Sequence, residues 1–304
     1  MITDLLQPAD LSRLRNLQVL VRHRVEGFCS GLHRSPNKGQ SVEFREHRPY
    51  SKGDALRGID WKVFGKSDRL YIRQYEEETN LRCHLVVDSS GSMAYSGSRS
   101  GGQSKLRYAS RLAAAMAYLM IHQQDSVGLV SFDESIRRYL PPRSLVTHLG
   151  AVATCLHELK PTPADVERGE PQDFALQTLV PKLRRGGLVV LFSDCFGDIS
   201  KLAQSLSQFV QAKNDVLVFQ VLDPDEVDFP FQNMTQFRSL EAGKLLKRID
   251  SGRLRKSYLQ RFEKFQAELG EALGRSRVNW MPVTSDQEVA SVLAQLLTSG
   301  RNGR

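Results

Sequence analysis

A chain of 304 residues can bury one large α/β core with a smaller module beside it, and 40% hydrophobic with 25% charged residues is an ordinary globular composition that excludes a disordered chain. No apolar run approaches the ~18–20 residues that span a bilayer. The net charge of +8 is concentrated between Arg13 and Arg73, where 14 Lys/Arg face 6 Asp/Glu, leaving 28 of each sign elsewhere. Such a basic stretch points either to an anionic partner or, more simply, to a solvated small module whose arginines pair with carboxylates.

The N-terminal MITDLLQPADLSRLRNLQVL has no basic leader and no continuous apolar centre, so the expectation is a cytoplasmic chain without a signal peptide. Residues 10–30 predict a helix, with Leu11, Leu14, Leu17, Val21 and Val25 at steps of three and four. GLHRSPNKGQ is loop by its Gly, Pro, Asn and Ser content. From Ser41 to Glu78 two alternating stretches, SVEFREHRPY and RLYIRQYEEE, flank a turn-rich connection, YSKGDALRGIDW. Residues 1–80 are thus read as a helix and a small β-rich module.

From Leu81 the pattern changes. Strands are expected at 81–88, 126–132, 187–194, 215–222 and 277–283, with a hairpin extension at 136–142 behind Asp133-Glu134. Helices fall between them at 104–123, 144–159, 172–185, 198–212, 254–274 and 286–298. Continuously apolar strands separated by helices predict a doubly wound α/β domain over 81–300, its mostly parallel sheet covered on both faces. Residues 224–250 interrupt the alternation and read as a hairpin insertion turning at Ala242-Gly243. The helix KLRYASRLAAAMAYLM is apolar on more than one side, so it is expected between the sheet and a second layer, the N-terminal module.

Cys29, Cys83, Cys155 and Cys195 are scattered, form no C-x-x-C pair and are read as free thiols, which argues against zinc. In a parallel sheet, ligands bind beyond the carboxyl ends of the strands. Two strands end there in carboxylates: HLVV runs into Asp88, followed by Ser90 and Ser92, and LVVLF runs into Ser193-Asp194. If these strands are neighbours, Asp88, Ser90, Ser92 and Asp194 converge as oxygen-only ligands. That set suits Mg²⁺, with Ca²⁺ or Mn²⁺ as alternatives.

DSSGSM after a buried strand, with SD after a later one, resembles the metal-ion-dependent adhesion site of von Willebrand factor type A domains. The resemblance maps Asp88, Ser90 and Ser92 onto D-x-S-x-S and Asp194 onto the later aspartate. It also asks for a threonine ligand, for which Thr162 in LKPTPAD is the candidate, since Thr154 and Thr178 fall on helices. The preceding segment, with Gly31, His33, Ser35, Glu43, Phe44, Arg48, Tyr50, Gly53, Asp54, Arg57, Ile59, Asp60 and Trp61, is similar to the bacterial domain-of-unknown-function family 58. This resemblance implies a non-enzymatic protein-interaction module whose metal receives an Asp or Glu from a partner. It implies an AAA+ ATPase of the MoxR type as that partner.

Competing readings are a metal-dependent phosphate-ester hydrolase and a nucleic-acid binder using the basic stretch. No G-x-S-x-G elbow, G-x-x-x-x-G-K-[ST] loop or G-x-G-x-x-G fingerprint is present. Asp198 before an apolar helix is read as an N-cap, and His33, His47 and His84 as structural. Ile59-Asp60-Trp61, with Arg57 and Arg73, is read as a buried junction with Asp60 paired to an arginine, a partner surface being the alternative, and Glu76, Glu77 and Glu78 as a solvated strand end.

Overall fold

The computed structural model describes residues 5–6, 10–14, 17, 42–51, 59–77, 81–162, 172–240 and 246–299. Its chain divides into two compact units, one of residues 33–80 and one of residues 1–32 with 81–304.

In the smaller unit β1 (Val42–Pro49) pairs antiparallel with β2 (Tyr71–Glu77), with an irregularity between Phe44 and Glu46. Between them lies α1 (Trp61–Ser67), which the turn-rich reading of this stretch missed. Asp60 starts it by accepting from the backbone N–H groups of Lys62 and Val63 at 3.0 and 3.3 Å. Asp68, left-handed at φ 52°, ends it. Ile59 is buried as expected, but Trp61 is 61% exposed. The buried Asp60 carboxylate caps this helix, and Trp61 at the first helical position meets Phe64 edge-on with ring centroids 6.0 Å apart. Glu76 and Glu77 lie within β2 and Glu78 outside the described residues, as do Gly31, His33, Ser35, Gly53, Asp54 and Arg57.

The larger unit carries a six-stranded sheet in the order β10-β7-β6-β3-β4-β5. Its strands are β3 (Arg82–Asp88), β4 (Ser126–Phe132), β5 (Ile136–Arg143), β6 (Leu188–Ser193), β7 (Asp215–Leu222) and β10 (Asn279–Thr284). All pairs are parallel except β4 with β5. The two edge strands carry Pro141, Pro142 and Pro282. This is the doubly wound, mostly parallel architecture expected from the apolar runs.

Side-chain alternation divides the core into two layers. Cys83, Leu85 and Val87 of β3, with Leu188, Val190 and Phe192 of β6, enter one cluster; Val86, Val189 and Leu191 enter the other. The first layer contains α2 (Lys105–His122), α3 (Val146–His157) and α8 (Val289–Ser299). The second contains α4 (Gln172–Leu179), α5 (Ile199–Gln211) and α7 (Ser251–Arg275).

All of α2 except Arg107, Arg111 and His122 is buried. Its cover includes Leu5, Leu6 and Leu14, and Arg111 pairs with Asp10 at 3.0 Å. Residues 10–14 are helical as predicted, but this segment packs as part of the α/β unit. The division after residue 80 stands, while residues 1–32 group with the α/β unit: the apolar face read at Leu11, Leu14 and Leu17 completes the core around α2. The remainder of the predicted 10–30 helix lies outside the described residues.

After β7 come the short α6 (Pro224–Asp228) and the antiparallel hairpin of β8 (Met234–Arg238) and β9 (Leu246–Asp250). Residues 224–250 were read as a hairpin insertion; the turn named there, Ala242-Gly243, lies outside the described residues. Phe229, Phe231 and Phe237 pack with one another, and Phe229 stacks on Tyr258 of α7 at 4.4 Å. Among the described residues no helix is long and apolar enough to cross a membrane.

Candidate functional site

The apolar run of β3 stops at Asp88, and that of β6 at Ser193. The two strands are neighbours, with Val87 opposite Phe192, so both polar ends open at the same edge of the sheet. After Asp88 the chain stays extended through Ser90, then tightens into a 3₁₀ turn at Gly91–Ala94. That turn brings the Ser90 and Ser92 hydroxyls to 3.2 Å from each other. Ser89 is anchored the other way, its N–H and Oγ both donating to the Phe132 carbonyl at 2.7 and 2.9 Å.

Thr162 is brought to this loop by backbone pairing. It forms a parallel bridge with Ser90, and its N–H donates to the Ser89 carbonyl at 2.8 Å. Thr154 lies inside α3 and Thr178 inside α4, where its hydroxyl donates to the Ala175 carbonyl. Asp88, Ser90, Ser92, Asp194 and Thr162 thus gather at the carboxyl ends of β3 and β6.

Asp88 and Asp194 are both fully buried. One Asp88 oxygen accepts from the Ser90 N–H at 2.9 Å, the other from the Ser193 hydroxyl at 2.5 Å. Burial, and next the negative charge of Asp194, push the Asp88 carboxyl up to about 7. Asp194 Oδ1 accepts from the Phe196 N–H at 3.1 Å, because Cys195 turns the chain at a left-handed φ of 59°. Asp194 Oδ2 meets the ammonium of Lys105 at 2.9 Å. Lys105 is itself fully buried and reaches Glu226 Oε1 at 2.7 Å.

Beside this group the loop after the 3₁₀ turn is held by the segment after β7. Asp223 Oδ2 accepts from the Gly97 N–H at 2.9 Å and the Ser285 hydroxyl at 3.2 Å, while its Oδ1 caps α6 through the Asp225 N–H at 2.9 Å. Asp225 accepts from Ser98 N–H and Oγ at 2.8 and 3.0 Å and pairs with Arg99 Nε at 2.9 Å. A Cβ on Gly97 would lie 2.2 Å from Asp223 Oδ1, so only glycine permits this approach.

Ser193, Lys105, Glu226 and Asp223 were not among the site residues read from the sequence. Ser193 had a usable signal, since a hydroxyl directly before Asp194 faces the neighbouring strand end. Lys105 had a weaker one, as the single charge opening an otherwise apolar helix face.

Asp198 caps α5, accepting from the Ser200 and Lys201 N–H groups at 2.9 and 3.1 Å, as its position suggested. Replacing it by alanine is expected to cost about 1 kcal/mol in urea denaturation, with Asp198→Ser close to wild type. His84 is buried within β3, and His47 lies in β1. Cys83, Cys155 and Cys195 are buried; Cys29 lies outside the described residues. Among the described residues no three or more His, Cys, Asp or Glu side chains cluster as metal ligands.

The model for "Protein of unknown function DUF58" matches residues 46–268. Uncharacterized proteins of Mycobacterium bovis and Mycobacterium tuberculosis are each 24% identical over 300 residues, covering 99% of this chain and 92% of theirs. Among solved structures, an aerotolerance-related membrane protein of Bacteroides fragilis aligns at 16% identity and a TM-score of 0.49, covering 72% of this chain and 99% of its own. BatB of Bacteroides thetaiotaomicron gives 16% and 0.44 over 73% and 100% of the two chains. The SpRpn10 VWA domain gives 9% and 0.38 over 71% and 95%.

Proposed function

The chain belongs to the DUF58 family of proteins of unknown function, and from that premise we propose that it is a non-enzymatic interaction module holding a divalent cation for a partner protein. The ligands are Asp88, Ser90, Ser92, Thr162 and Asp194, the last directly or through water. The carrying observation is the pair of fully buried carboxylates, Asp88 and Asp194, at the ends of adjacent strands, beside the paired Ser90 and Ser92 hydroxyls and with Thr162 bridged to Ser90 through the backbone.

The donor chemistry fits a hard cation. All five proposed donors are oxygen and two are anionic, which favours Mg²⁺ with Ca²⁺ or Mn²⁺ as substitutes. The local charge fits as well. Among the described residues, the carboxylates of Asp194 and Glu226 share the ammonium of Lys105, and Asp88 lies close enough to Asp194 to feel its charge. Burial holds the Asp88 carboxyl toward its protonated form, and a cation beside it reverses that preference.

A bound ion supplies a fixed positive charge with a coordination position that an Asp or Glu of the partner takes from water. Ser90 and Ser92 orient the donor set, Ser193 fixes the Asp88 carboxylate, and Lys105 keeps Asp194 in place. A MoxR-type AAA+ ATPase is the partner that the family resemblance implies, with ATP chemistry supplied by that partner.

Calorimetry with Mg²⁺ tests the site. Wild type is expected to bind, and Asp88→Asn to show no measurable heat while keeping its circular dichroism spectrum. Bound ion at 100 times its dissociation constant is expected to add about 2.7 kcal/mol of stability to wild type alone. Equal affinity in the variant sinks the reading, and Mg²⁺-dependent cleavage of p-nitrophenyl phosphate that needs Asp88 replaces it with a hydrolase. Capture of the MoxR-type partner that survives both EDTA and Asp88→Asn removes the metal from recognition.

A further inference from the structure

The geometry points to Lys105 as a resident cation of this site, one that competes with a divalent ion for Asp194 and thereby sets how tightly the ion is held. This rests on the metal reading above.

Lysine is almost never fully buried without partners, because its ammonium loses its hydration. Lys105, at the first position of α2, has no exposed surface. Its Nζ lies 2.9 Å from Asp194 Oδ2 and 2.7 Å from Glu226 Oε1, and 5.0 Å from the centroid of the Phe196 ring. Each carboxylate is fixed on its other side. Asp194 Oδ1 accepts from the Phe196 N–H at 3.1 Å, and Glu226 Oε2 from the Asp223 N–H at 2.8 Å. The ammonium is therefore shared between a site ligand and the first turn of α6, with little freedom for either carboxylate to swing away.

Two consequences follow. Without a divalent ion, Lys105 keeps Asp194 from being a bare buried anion, so the strand ends stay assembled. With one, the ammonium and the ion draw on the same carboxylate and repel each other across a short, water-poor distance, where Coulomb energies are large. Glu226 moderates this by drawing the ammonium toward α6. Removing Lys105 therefore tightens the ion, whereas removing the charge of Glu226 leaves the ammonium to Asp194 alone and weakens it.

The experiment is Mg²⁺ titration of wild type, Lys105→Met, Glu226→Gln and Asp88→Asn by calorimetry, with folding checked by circular dichroism. Lys105→Met is expected to bind at least about tenfold tighter and Glu226→Gln about tenfold weaker, given charge separations of a few ångströms. General damage to the site weakens both variants, so opposite signs are the signature. Lys105→Met that is unfolded alone but folds on adding Mg²⁺ also supports the proposal. If Lys105→Met does not fold at all, Lys105→Gln, which keeps a hydrogen-bond donor, takes its place and the same opposite signs are required; weakening in both arms overturns the proposal. Unchanged affinity in a folded Lys105→Met, with binding lost in Asp88→Asn, overturns the role of Lys105 and leaves the metal reading intact. Binding absent from wild type but present in Lys105→Met supports the competition in its strongest form, and absence from both removes both conclusions.

Discussion

Asp223→Ala is expected to destabilise the fold by about 3–5 kcal/mol and to open the loop around Gly97 to proteolysis, because it strands several donors at once. The Asp223 carboxylate is fully buried and receives the Gly97 N–H, the Ser285 hydroxyl and the Asp225 N–H. Alanine removes all three acceptor positions and the cap of α6, worth about 1 kcal/mol by itself. Asp223→Asn keeps one acceptor oxygen and is expected to lose roughly half as much. Urea denaturation gives the size of the effect, and trypsin cleavage after Arg99 reports the loop. In wild type Arg99 is tied to Asp225, Asp228 and the Pro224 carbonyl. A loss below about 1 kcal/mol, within the range of an ordinary surface change, contradicts this account.

His84 is expected to make wild type lose about 3 kcal/mol relative to His84→Leu as pH falls from 6.5 to about 4. The side chain is 2% exposed in the middle of β3, and neither ring nitrogen has a hydrogen-bond partner among the described residues. Burial, with Arg82 adding to it, lowers its value from 6.5 to about 4. The folded protein therefore resists a proton that the unfolded chain accepts, so this stability is complete above 6.5 and is lost on acidification. Gly128 opposite makes the close fit, since a Cβ there would sit 3.2 Å from His84 Nδ1. Asp88 runs the other way: its raised value stabilises the ion-free fold at low pH and that benefit disappears as pH climbs toward 7. The difference between wild type and His84→Leu, followed by chemical denaturation across this range, isolates the imidazole. A constant difference rules it out.

The parts legible before any coordinates were those set by local pattern. Ser126–Phe132 and Asp215–Leu222 fall on their expected bounds because an apolar run flanked by polar residues has one way to cross a two-faced core. Asp88 and Asp194 were legible as a pair because both end such runs. Lys105 was not, since a lysine at a helix start reads as solvated. What buries it are carboxylates 89 and 121 residues away. Asp223 was hidden for the same reason, its donors coming from Gly97 and Ser285. Trp61 was misplaced because its burial was read from a junction held by Asp60 and an arginine, whereas the Asp60 carboxylate caps a helix that Trp61 opens.

The prolines at the margins of the six-stranded sheet bear on how a partner docks. β5 and β10 each pair on one side only, and Pro141, Pro142 and Pro282 lack the N–H that strand addition would recruit. Docking by β-augmentation is thereby disfavoured at both borders. The proposed contact at the end where the strands terminate asks nothing of either border, so what the borders withhold and what the strand ends present are consistent with each other.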